Sequence, residues 1–213
     1  MGRGPVGEPA IIRYVNNSLA SVTDVSGTDG AMILIKTLTA DASTATLSFV
    51  NGTSDVVLDS TYPIYLFKLI NPHPATTGKL NVFFRDGGTN YDATCTGNNL
   101  SAYHSEDGTA TSLYAEGDSD ATQSATVPVI RNLGNDNDGS CAAIMYLFNP
   151  SSTTFTKQYL INTNYVYGSS YGCFSDRKGG YINTATAIDG VQFKMASGNI
   201  DSGTFKLYGI KDS

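Results

Sequence analysis

Residues 44–52 read TATLSFVNG, and this stretch decides the fold class. Ala45, Leu47 and Phe49 alternate with Thr44, Thr46 and Ser48, so an extended chain here has one apolar and one polar face. Asn51-Gly52 follows, a pair that accepts the positive φ of a tight hairpin turn. The pattern predicts a strand over residues 44–50 and a partner strand over residues 55–58.

The same grammar continues on both sides. Residues 32–38 and 64–70 are apolar on both faces apart from Lys36, Thr37 and Lys68, which predicts strands buried between two layers. Residues 79–85 run into the turn Asp86-Gly87-Gly88. Pro128 lacks a backbone N–H, so residues 126–131 are expected at an edge or a bulge. Residues 142–148 and 154–167 add two more strands. Val191, Phe193 and Met195 alternate with Gln192 and Lys194, and Phe205 and Leu207 with Thr204, Lys206 and Tyr208. About ten short strands at close spacing predict an all-β fold, a jelly-roll-like antiparallel β-sandwich spanning residues 28–213. Residues 1–27 read as an arm, extended or with a short helix over residues 10–22. Ile11, Ile12, Tyr14, Val15 and Leu19 are its candidate anchors to a neighbouring subunit.

The 213 residues carry a formal charge of −6, with 15% charged residues and no basic block. Nucleic acid is therefore not an expected partner, since binding it requires clustered cations. No run approaches the length of a membrane span, and an anionic membrane surface would repel the chain. Residues 1–9 lack the apolar core of a secretory signal, so the mature chain is expected to begin near Met1. Cys95, Cys141 and Cys173 are too few and too scattered for a disulfide framework or a zinc site, and read as thiols.

Four motifs suggest chemistry and none holds up. Residues 168–172 match G-x-S-x-G around Ser170, but the glycine-rich sequence after it has no helical stripe to complete a nucleophile elbow. Residues 2–7 match a dinucleotide-binding pattern with no strand ahead of it. In the acidic loop 135–139, an EF-hand alignment puts Gly134 at the first ligand position and Met145 at the bidentate one. A calcium site of another kind, through Asp136 and Asp138, remains the alternative there. His73 and His104 are the only histidines. A hydrolase would have to combine them with Ser170, so no enzyme, metal or cofactor is expected.

The chain has 13 Tyr and no Trp. Tyr159, Tyr165, Tyr167, Tyr171 and Tyr181 cluster in sequence and form a candidate contact surface, because tyrosine offers area and a hydroxyl at low entropic cost.

Residues 188–210 read IDGVQFKMASGNIDSGTFKLYGI. This stretch resembles the closing hairpin of a widespread set of tailed-phage virion proteins, many from marine phages, with SGNI-x-x-GT-x-KLYG endings. Residues 44–65 (TATLSFVNGTSDVVLDSTYPIY), 133–138 (LGNDND) and 147–154 (LFNPSSTT) are similar to the same set. The likeness covers most of residues 31–213 and not the first 30. It implies a non-enzymatic protein of the particle exterior, either capsid decoration or a tail or head fibre that binds a host glycan. It also implies partners among capsid or tail proteins and a homo-oligomer, commonly a trimer.

Overall fold

The computed structural model describes the backbone of residues 12–15 and 18–22 and all of residues 31–117, 122–168 and 172–211. Near the start, β1 (Ile12–Val15) and β2 (Ser18–Val22) pair antiparallel. The helix considered for residues 10–22 gives way to this hairpin. The β-branched Ile12, Val15 and Val22 suit an extended backbone better than a helix.

The body is built from β3 (Met32–Ala40), β4 (Thr46–Val50), β5 (Ile64–Pro74), β6 (Gly78–Arg85), β7 (Cys95–Ser105), β8 (Thr111–Ala115), β9 (Thr122–Ser124) and β10 (Val127–Leu133). It continues with β11 (Cys141–Phe148), β12 (Lys157–Val166), β13 (Gly172–Ile182), β14 (Gly190–Met195) and β15 (Ile200–Ile210). Every pairing is antiparallel. The smaller sheet runs β10-β6-β14-β4 and the larger β3-β15-β5-β11-β12-β13-β7-β8, with β9 also on β7.

The pairs β3 with β15, β4 with β14, β5 with β11 and β6 with β10 nest one inside the next along the chain. Between these eight strands, every connection except that from β6 to its partner β10 carries the chain from one sheet to the other. This nesting is a jelly roll. Two insertions interrupt it, β7 to β9 after β6 and β12–β13 after β11. Both extend the large sheet beyond β11 and lie side by side there.

Alternation fixes the core. Along β12 every inward residue from Lys157 to Tyr165 is buried, while Gln158, Leu160, Asn162 and Asn164 are exposed. Between the sheets, Phe49 and Phe193 from the smaller sheet meet Phe67 and Phe205 from the larger, with centroids 5.3–5.9 Å apart. Such ring pairs add to the free energy of area burial. Tyr159 stacks on Phe84 at 5.9 Å. Its hydroxyl occupies the space that side chains would need at Gly97 and Gly180: a Cβ there would sit 2.6 Å and 2.3 Å from it.

Several expected features are realised differently. Residues 55–58 do not form a strand. They close a loop in which Gly52 N–H donates to Val56 O at 2.9 Å, and Val56 and Leu58 plug the core instead. β4 pairs with β14. β3 is an edge strand rather than a buried one, with Leu34 51% exposed and Lys36 in mid-strand, a charge that discourages edge pairing. β10 is the edge of the smaller sheet, and its register shifts after Pro128, as a missing N–H demands. β14 and β15 are not a hairpin: they lie in opposite sheets and close the sandwich from its two sides.

Candidate functional site

The two insertions make a lobe whose inward residues form rows across β12, β13, β7 and β8. Tyr165, Phe174 and Tyr103 are partners in one row, and Thr163, Asp176, Ser101 and Tyr114 in the next. From the opposite sheet, Arg131 on β10 reaches into these rows. Its Nε donates to Asp176 Oδ2 at 3.2 Å. Its Nη2 donates to Ser101 Oγ at 2.6 Å and to the Tyr114 hydroxyl at 3.3 Å. Its Nη1 pairs with Glu116.

Asp176 also accepts from Ser101 Oγ at 2.7 Å and from the Tyr165 hydroxyl at 3.2 Å, and Lys178 Nζ lies 3.4 Å away. Among the described residues, two cations thus face two carboxylates in this cluster. Burial pulls the Arg131 pKa down, but the Tyr114 hydroxyl, Tyr165 and Asp176 outweigh it and the net shift is upward. Burial, reinforced by Asp176, pushes the Tyr165 phenol up. The cluster fixes where Arg131 points, because its donors go to four different side chains.

An aromatic stack stands beside the cluster. Phe174 lies between Tyr103, at 5.0 Å and 9°, and Tyr167, at 4.5 Å and 29°. The Arg131 guanidinium sits 5.7 Å from the ring centres of both Tyr114 and Phe174, within cation–π range. Together Tyr103, Tyr114, Tyr167, Phe174, Ser105 and Arg131 line a cavity of about 360 Å³. All but Arg131 belong to the insertions or their flanks, so the cavity is an addition to the eight-stranded body.

The opposite face of the large sheet differs in character. Lys206, Lys68, Ile144, Asn162, Arg177 and Leu100 are successive partners in a row across six strands. Ile70, Leu160 and Leu113 are exposed on the same face. The outward positions of β7, β8, β11, β12, β13, Ile64 to Ile70 and Thr204 to Ile210 include no carboxylate; Asp176 points inward. A chain of net charge −6 thus has one broad face bearing three cations among apolar side chains.

The tyrosines singled out from the sequence part company. Tyr159 and Tyr165 are 2% and 1% exposed, which corrects their assignment to a contact surface: inward alternation on β12 puts both in the core. Tyr167 lines the aromatic cavity. Tyr181 is half-buried beside Leu160 and Phe148 on the outer face. Tyr171 and Ser170 lie outside the described residues, as does the arm residue Ile11. Ile12, Tyr14, Val15 and Leu19 are described in backbone only.

His73 places Nδ1 3.2 Å from Asp201 Oδ2 and Nε2 3.1 Å from the Asp136 carbonyl. His104 Nδ1 meets the Ser105 carbonyl at 2.8 Å. Cys173 is the cross-strand partner of His104, a juxtaposition that the sequence did not reveal, but its thiol contacts the Asn164 amide at 3.4 Å. In the 135–139 loop, Gly139 N–H donates to Asp136 O at 2.8 Å. Among the described residues no three ligating side chains converge.

Cys95 and Cys141 are buried free thiols and Cys173 an exposed one. Burial pushes the Cys95 thiol up to about 12 and raises Cys141 too. A thiol reagent at neutral pH is expected to titrate Cys173 quickly and the other two only on unfolding. Rapid reaction of a second thiol in folded protein would contradict this burial.

No family model, no curated protein and no solved structure matches the chain.

Proposed function

We propose that this chain is a non-enzymatic structural protein of the exterior of a tailed-phage particle, seated on the head as a decoration protein by the outer face of its large sheet. The carboxylate-free face carries the reading. Lys68, Arg177 and Lys206 share it with exposed Ile70, Ile144 and Leu160, in a molecule that is acidic as a whole. Its occupant is an acidic patch of the shell protein, since opposite charge steers encounter and apolar contact holds it. The likeness of residues 188–210 to virion proteins points the same way, and those residues close the jelly roll. The arm of residues 1–27 is a second anchor, and a trimer is the assembly that the likeness favours.

A second reading, a fibre or receptor-binding module, is favoured by the aromatic cavity and shares the external location.

Particles stripped of this chain and mixed with the purified protein should recapture it on a density gradient, less so as salt rises. The triple variant Lys68→Glu, Arg177→Glu, Lys206→Glu should remain in the soluble fraction. Equal capture of the variant, or no capture of the natural chain, would contradict the reading.

A further inference from the structure

We propose that the cavity bounded by Tyr103, Tyr114, Tyr167 and Phe174 over Arg131 is a binding site for a neutral sugar ring. Two properties of the lining select that ligand. The first is its composition, four aromatic side chains, three of them phenols, with Ser105 beside them. A pyranose has the complementary mixture, with axial C–H groups that lie on aromatic rings and hydroxyls that exchange hydrogen bonds with phenols. The volume of about 360 Å³ is at the lower end of small-ligand sites and admits one or two such rings.

The second property is charge. Arg131 is committed to Glu116, Asp176, Ser101 and Tyr114, and Lys178 stands beside Asp176. An anionic sugar would have to draw Arg131 away from one of its carboxylates, at the cost of leaving that carboxylate buried and unpaired. A neutral ring leaves the cluster intact and meets a Tyr114 ring whose hydroxyl Arg131 already holds. A wholly apolar ligand would strip water from the phenols and return no hydrogen bond.

The site is rigid before binding. Phe174 is held in its stack by Tyr103 and Tyr167, and strands rather than loops carry Tyr103, Tyr114 and Phe174. Such a site loses little side-chain freedom when occupied. It also lies on the inward side of the lobe, whereas Arg177 and Leu100 point to the other side of the same strands. A molecule seated by its outer face keeps the cavity accessible. The sugar proposal does not require particle attachment, however, and isolated protein suffices to test it.

Saturation-transfer NMR on the purified chain, with methyl glycosides of glucose, galactose, mannose and N-acetylglucosamine at millimolar concentration, reads the site directly. Methyl glucuronide is the anionic comparison. At least one neutral glycoside should receive saturation, strongest at its ring protons, and the glucuronide little. Tyr114→Ala and Tyr167→Ala should each weaken binding at least about tenfold. Phe155→Ala, at an exposed loop position, should bind as the natural chain does. Tyr167→Phe keeps the ring in its stack and tests the hydroxyl alone, with an expected loss of a few-fold and an unchanged circular dichroism spectrum. Failure of every neutral glycoside to receive saturation would overturn the proposal. So would saturation of the glucuronide alone, or unchanged binding by folded Tyr114→Ala and Tyr167→Ala.

Discussion

Asp176→Ala is expected to destabilise the fold by about 3–5 kcal/mol, the range for removing one partner from a buried ion pair. Asp176 is the hub of the lobe, accepting from Ser101, Tyr165 and Arg131 with Lys178 3.4 Å away. Without it, Arg131 and Lys178 lose a carboxylate inside the lobe, and the Tyr165 hydroxyl loses its acceptor in the core. Urea unfolding should show a lower midpoint with an unchanged slope. The double variant Asp176→Leu, Arg131→Met, which removes charge from both sheets, should recover part of the loss. A paired buried charge costs desolvation that apolar side chains avoid. A loss below about 1 kcal/mol for Asp176→Ala would mean that water reaches the cluster, since solvated ion pairs contribute no more than that.

Phe193→Ala is the second large effect, about 3–5 kcal/mol for a buried Phe replaced by Ala. Phe193 stands on β14 in the smaller sheet and touches Phe67 at 5.9 Å and Phe205 at 5.3 Å in the larger, with Phe49 at 6.4 Å on its own side. Its loss opens a cavity where the sheets meet. By contrast, Leu113 on edge strand β8 is 75% exposed, and Leu113→Ser should fall within about 0.5 kcal/mol of the natural chain. A Phe193→Ala variant as stable as Leu113→Ser would mean that β14 does not face β5 and β15 across the core.

Alternation made many strands legible, because inward and outward residues differ in kind along β4, β14 and β15. Pairing was less so. Val191, Phe193 and Met195 point at the same core as Phe205 and Leu207, whether β14 and β15 lie side by side or face each other. The short link at Ser197-Gly198-Asn199 looked like a hairpin turn, yet it carries the chain across the sandwich. The apolar run at the start of β3 looked buried because edge position depends on strand order, which no local pattern encodes.

The candidate site was harder still. Asp176, Arg177 and Lys178 are consecutive charges that carry no local sign of burial, yet period-two geometry sends Arg177 outward and its neighbours into the core. Which tyrosines become core and which line the cavity depends on β7, β8 and β13 lying together. That adjacency joins residues as far apart as Tyr103 and Phe174.

A cryo-EM reconstruction of the intact particle would show where the chain sits and which face it turns to the shell. The account expects this jelly roll on the outside of the head, with Lys68, Arg177 and Lys206 against acidic shell residues and the Tyr103–Tyr167 cavity open to solvent. Density showing that cavity pressed onto the shell and the cationic face outward, or no density for the chain on the particle, would contradict it.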